Sequence, residues 1–126
     1  MRFLTTRVHG ILDYAVALLL IAAPWLLGFA RGGAETWVPV GLGIATILYS
    51  LLTDYEMGIV RRLQMPLHLW LDALAGVLLA VSPWLFNFDQ MVWVPHVAIG
   101  VTEVVVAFMS QTVPGYERRG ARQMGG

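Results

Sequence analysis

The chain has no cysteine and no lysine. The first absence excludes disulfides, thiolate metal sites and a cysteine nucleophile. The second leaves arginine to carry every basic charge. Charge is scarce altogether: Asp, Glu, Lys and Arg make up 13% of the 126 residues, about half the ~25% of an ordinary soluble domain. With zero formal net charge, the chain has no basic footprint for nucleic acid. There is no phosphate-cradling glycine loop, since Gly32-Gly33 is a short turn, and no HExxH zinc motif. Ser50, Ser82 and Ser110 have no base nearby in a catalytic arrangement. The expectation is a protein that is not an enzyme and has no catalytic residues.

What the chain has instead is apolar surface. Apolar residues make up 58% and the mean hydropathy is +0.70. A soluble domain of this size cannot hide that much apolar area, so lipid is the expected solvent. The first thirty residues, MRFLTTRVHGILDYAVALLLIAAPWLLGFA, have the arginines and apolar run of a signal peptide. His9 and Asp13 interrupt that run, and the whole segment recurs later, which makes it part of the fold.

The recurrence is regular. His9, Asp13, Pro24, Trp25 and Phe29 match His68, Asp72, Pro83, Trp84 and Phe88 at a constant offset of 59 residues. Beyond a shorter second loop, Trp37, Pro39 and Thr46 match Trp93, Pro95 and Thr102 at an offset of 56. Each copy holds two apolar segments, near 9–28, 38–55, 67–87 and 94–111, each of about the length that crosses a hydrocarbon core. The expected fold is all-α: a four-transmembrane-helix bundle of two parallel helical-hairpin repeats related by a pseudo-two-fold along the membrane normal. Its parts are an N-terminus (1–8), a first repeat (9–56), a linker (57–66), a second repeat (67–111) and a flexible tail (112–126). Arg2, Arg7, Arg61, Arg62, Arg118, Arg119 and Arg122 lie on one side of this topology and only Arg31 on the other. Positive residues stay inside, which puts both termini and the linker in the cytoplasm. The tail, rich in arginine and glycine, is suited to touching anionic lipid.

The repeated Pro-Trp-Leu reads as a helix-end device. Pro24 and Pro83 remove a backbone hydrogen bond near the end of spans one and three. Trp25, Trp37, Trp84 and Trp93 share one membrane interface. Gly28 and Asn87 suit the left-handed residue that closes a helix, and Pro39 and Pro95 suit the first turn of the next one. Gly41, Gly43, Ala45, Ala98, Gly100 and Thr102 offer small faces for close helix packing.

This pattern, with Ser82-Pro83-Trp84 in full in the second copy, resembles the SPW repeat family of small bacterial membrane proteins. In that family the motif lies in the first of the two transmembrane helices of a repeat. The resemblance covers about residues 9–111 and implies a multi-pass protein of the bacterial cytoplasmic membrane; it carries no activity over. The first copy departs from the motif with Ala23, so the serine hydroxyl is not essential to both halves.

Ionisable groups at membrane depth are costly and point to function by default. His9 with Asp13, and His68 with Asp72, are four apart and share a helix face; Asp54 and Glu56 end span two at the same level. Glu103 lies in mid-span with Ile47 as its counterpart, and His96 is two turns earlier. These residues have a plain reading and a functional one. In the plain reading each aspartate pairs with its own histidine or with Arg7, Arg61 or Arg62, and the pairs set helix register. In the functional reading the cluster binds a divalent metal such as zinc, relays protons with His96 and Glu103 as stations, or holds a haem between two histidines. The leading expectation is a structural or accessory membrane protein with no cofactor, a homo-oligomer or a subunit of a larger complex. Proton, ion or metal handling is the alternative, and haem or quinone redox chemistry the third.

Overall fold

The computed structural model describes residues 2–112 and Gly115. Four helices follow one another: α1 (Thr6–Leu26), α2 (Ala34–Leu51), α3 (Met65–Leu85) and α4 (Val94–Met109). Each starts at or before its expected position and stops two to four residues sooner. Thr5 is the reason for the early start of α1, since its hydroxyl accepts the Val8 amide at 3.2 Å as an N-cap. The expected tail of 112–126 lies outside the described residues except for Thr112 and Gly115.

α1, α2 and α3 are long and apolar enough to cross a membrane, whereas α4 is a shorter apolar helix of 16 residues. At 1.5 Å per residue α4 is about 24 Å long, short of a ~30 Å core. It stops because Ser110 turns extended and joins a short parallel bridge to Leu4. There the Leu4 amide donates to the Met109 carbonyl at 3.0 Å, and the Gln111 amide to the Leu4 carbonyl at 2.8 Å. The same contact closes α2 onto α3: the Leu63 amide donates to Leu52 at 2.8 Å and the Asp54 amide to Leu63 at 2.6 Å. These two bridges gather the N-terminus, the end of α4 and the α2–α3 connection at one end of the molecule.

The helices are turned inside out relative to a soluble bundle. α1 buries Thr6, His9, Gly10, Asp13 and Ala17, and α3 buries His68, Asp72, Ala73, Gly76 and Ser82. The outward faces carry Leu18, Leu19, Leu74, Val77, Ile44, Leu48 and Val101, all exposed. α1 packs on α2 and α3 on α4, with α2 against α3 between the hairpins. Glycine makes the close contacts. A Cβ on Gly43 would meet the Ala17 carbonyl at 2.7 Å, and one on Gly100 would meet the Gly76 carbonyl at 2.5 Å. Of the small residues expected to pack, Gly41, Ala45, Ala98 and Thr102 instead face outward. Gly41 has open space where a Cβ would be.

The far end explains the repeated motif. Gly28 and Asn87 have φ of 75° and 58°, the left-handed closure expected of a glycine and an asparagine. In each copy the next two amides turn back to the proline carbonyl, Phe29 and Ala30 to Pro24 and Phe88 and Asp89 to Pro83, at 2.8–3.0 Å. Trp25 pairs with Trp37 and Trp84 with Trp93, ring centroids 6.3 Å apart in both. The four indoles are about half exposed. Inside α3, Pro83 has no amide to offer the Leu79 carbonyl, and the Ser82 hydroxyl donates to that carbonyl at 2.7 Å. The serine of Ser-Pro-Trp thus repairs the bond that the proline removes.

Pro95 occupies the first turn of α4, as expected, but Pro39 does not do so in α2. That helix begins at Ala34, so Pro39 sits in its second turn. Its missing amide frees the Glu35 carbonyl, four residues back. His96, from the other hairpin, donates Nε2–H to that carbonyl at 2.9 Å.

Candidate functional site

The sequence places a histidine and an aspartate one turn apart in α1 and again in α3. The fold brings the two pairs together near the bridged end, and it crosses them. His9 Nε2 lies 2.6 Å from Asp72 Oδ2 and 3.1 Å from its own neighbour Asp13. His68 Nε2 lies 2.5 Å from Asp13 Oδ2 and 3.2 Å from Asp72. All four residues are buried, with at most 8% exposure. Each aspartate was expected to pair with its own histidine or an arginine. The nearer histidine is instead that of the other copy, while Arg7, Arg61 and Arg62 lie exposed at the surface.

The outer side of each imidazole is held as well. His9 Nδ1 is 2.7 Å from Ser110 Oγ, at the end of α4. His68 Nδ1 is 2.7 Å from Thr53 Oγ1, just past the end of α2. Each hydroxyl also contacts the carbonyl four residues back at 2.6 Å, Ser110 to Val106 and Thr53 to Tyr49. Two oxygens that close need a hydrogen between them, and a hydroxyl has one. That hydrogen is committed to the carbonyl, so the hydroxyl can only accept from the imidazole. Both histidines therefore carry Nδ1–H, and their Nε2 atoms face the carboxylates.

The two halves differ around this core. The Tyr49 hydroxyl donates to Asp72 Oδ1. Tyr49 and Tyr55 pack on the His68 ring with centroids at 5.0 and 5.3 Å. Burial pushes the Tyr55 phenol well above its ordinary range. The His9 and His68 rings stand edge to face, centroids 5.4 Å apart.

The other expected site residues lie elsewhere. Asp54 is in the turn after α2 and outside the four-residue cluster. His96 is at the far end between the Phe29 and Phe88 rings, at 5.1 and 4.8 Å. Glu103 is half-buried in α4, and among the described residues no hydrogen-bond chain links it to His96 or to the cluster. Sequence reasoning missed Ser110, Thr53 and Tyr49 as partners of the cluster. Thr53 and Ser110 are 57 apart, one off the offset of 56 that aligns the preceding helices. It also missed Glu35, whose buried carboxylate accepts the amides of Arg31 and Gly33, both at 3.1 Å, and so orders the first hairpin loop.

Apolar outer faces around a polar, hydrogen-bonded interior define an integral membrane protein of helical type. The chain belongs to the SPW repeat family: the model of the SPW repeat domain matches residues 7–110. Comparison with curated proteins and with solved structures gives no match.

Proposed function

We propose that the chain is a non-catalytic membrane module. All four helices traverse the bilayer, the short α4 with local thinning of the hydrocarbon core beside it, as two hairpins related by a two-fold along its normal. The termini and the α2–α3 connection face the cytoplasm of a bacterium. The module serves as an accessory or packing subunit of a membrane assembly, formed with copies of itself or with another membrane protein. One observation carries this reading: all three buried histidines hydrogen-bond across to the other hairpin, while large apolar side chains cover the outside. Glu103 supports the assembly, since it is half-exposed on α4 and makes no hydrogen bond or ion pair among the described residues. A carboxylate at that depth favours a protein neighbour over lipid. The bridging of Leu4 to Ser110, like that of Leu63 to Thr53, supports the two-fold.

The lack of cysteine makes the test direct. Single cysteines at Gly32 and at Gln64 are labelled in intact cells with an impermeant maleimide. Labelling at Gly32 and protection at Gln64 is the expected result, and the reverse pattern overturns the orientation. Gentle solubilisation followed by native mass spectrometry tests the assembly. A stoichiometric self-complex or partner is expected, and a strictly monomeric chain overturns it.

A further inference from the structure

The crossed cluster carries a proton count that does not close by itself. Both imidazoles donate from Nδ1 to a hydroxyl whose own hydrogen is committed elsewhere. A neutral imidazole then has a bare lone pair at Nε2. Yet each Nε2 lies 2.5–2.6 Å from a carboxylate oxygen, and two lone pairs do not rest at that distance with nothing between them. Either two further protons fill the gaps, each shared between an imidazole and its carboxyl group, or one dication does. Both balance the charge. The first leaves the four groups in two separate buried pairs, as ion pairs or as neutral carboxylic acid–imidazole hydrogen bonds. The second gathers them on one centre.

We propose that His9, Asp13, His68 and Asp72 form a binding site for a single divalent metal ion of the zinc type, which locks the two hairpins together. The four ligand atoms lie within 4.8 Å of one another. Tetrahedral Zn²⁺ with bonds of ~2.0–2.1 Å puts its ligands about 3.3 Å apart. The two His–Asp distances within a helix, 3.1 and 3.2 Å, are already close to that. The two crossed distances need to open by less than about 1 Å, and the widest of the other pairs, at most 4.8 Å, to close by up to about 1.5 Å. The donor set, two imidazole nitrogens and two carboxylate oxygens, suits zinc or a neighbouring transition metal rather than calcium or magnesium. The surroundings are those of a metal site too. Each ligating histidine has its far nitrogen held by a hydrogen-bonded hydroxyl, and Tyr49 holds the second oxygen of Asp72, the outer contacts that orient ligands. The cluster is one helical turn inside the bridged end, close to the arginine-flanked surface.

The proposal deepens the module reading by naming what fastens the hairpins. Cysteine labelling and native mass spectrometry test that reading without reference to metal, so the two can fail separately. The experiment is metal analysis of the whole protein in detergent, followed by chelator stripping and titration with Zn²⁺ or Co²⁺. One equivalent per chain is expected, with the ligand-field absorption of tetrahedral Co²⁺. Asp13→Asn should abolish binding. Ser110→Ala and Thr53→Val, which leave all four ligands in place, should weaken it about 10–100-fold, and Thr53→Ser should restore it. A stripped, still helical protein that takes up neither ion would overturn the proposal. So would histidine ¹⁵N spectra of metal-exposed protein with Nε2 protonated in both rings. The spectra use the unaltered chain, so a variant that fails to fold does not remove the test.

Discussion

His9 and Asp72 are 63 residues apart in the chain and meet at 2.6 Å, whereas His9 and Asp13, one turn apart, are at 3.1 Å. The stronger contact is thus the one between repeats. The same His-x-x-x-Asp face occurs on α1 and on α3, and folding makes each face complete the other. A local ion pair supports one helix, but a crossed pair fixes the depth of one hairpin against the other.

The crossing predicts a particular pattern of coupling. Removing any one of the four side chains leaves an uncompensated buried partner, which costs about 3–5 kcal/mol. In double-mutant cycles with alanine, His9 should couple more strongly to Asp72 than to Asp13, and His68 more strongly to Asp13 than to Asp72. Equilibrium unfolding in detergent, with and without chelator, measures this. Stronger coupling within a helix than between helices would show that the pairs act locally.

Pro39 and His96 make a second linked pair. The proline frees the Glu35 carbonyl and the histidine occupies it at 2.9 Å. His96→Leu should cost about 1–3 kcal/mol, because a buried carbonyl loses its donor. Pro39→Ala restores a helical amide to that carbonyl, so it should recover most of the loss in the His96→Leu background. Equal effects of Pro39→Ala in both backgrounds, read from thermal unfolding, would mean that the two residues act independently.

The serine of the Ser-Pro-Trp motif predicts a smaller effect. Ser82 donates to the carbonyl orphaned by Pro83 at 2.7 Å. Hydrogen bonds inside membrane proteins average about 0.6 kcal/mol, and Ser82→Ala should cost about that. Trp84→Ala acts at the interface instead, and should change depth in the bilayer, read by quenching with brominated lipid, more than unfolding.

Much of this was legible in the sequence and some was not, for physical reasons. The all-helical architecture follows from apolar run length, and the repeat from His, Asp, Pro and Trp at fixed offsets. Gly28 and Asn87 could be matched because few residues accept a left-handed turn. The His/Asp cluster was visible as two faces at one level, but its crossed pairing was not. Spacing places side chains on a helix; only the packing of α1 and α3 decides which histidine is nearer which aspartate. Thr53 and Ser110 escaped because helix ends slip by a residue relative to a repeat. The position of Pro39 escaped because Trp37 and Pro39 look like a start signal, while the buried Glu35 carboxylate, which organises the loop, begins α2 a turn earlier.

Glycine provides the last test, with its control in the same molecule. Gly100 and Gly76 lie where α3 and α4 touch backbone to backbone. A Cβ on Gly100 would also meet the Ala80 amide at 2.7 Å. Backbone cannot move aside as a flexible side chain can, so Gly100→Ala forces the helices apart and should cost about 1–3 kcal/mol. Gly41 lies on the outward face of α2 with nothing within 4 Å of its would-be Cβ. Gly41→Ala gains helix propensity and should stabilise the monomer by up to ~1 kcal/mol. The two substitutions add the same methyl group, so a difference in sign isolates packing from propensity. If Gly41→Ala is instead as harmful as Gly100→Ala, and only in the native membrane, a second protein covers that face of α2, and crosslinking from Gly41→Cys will identify it.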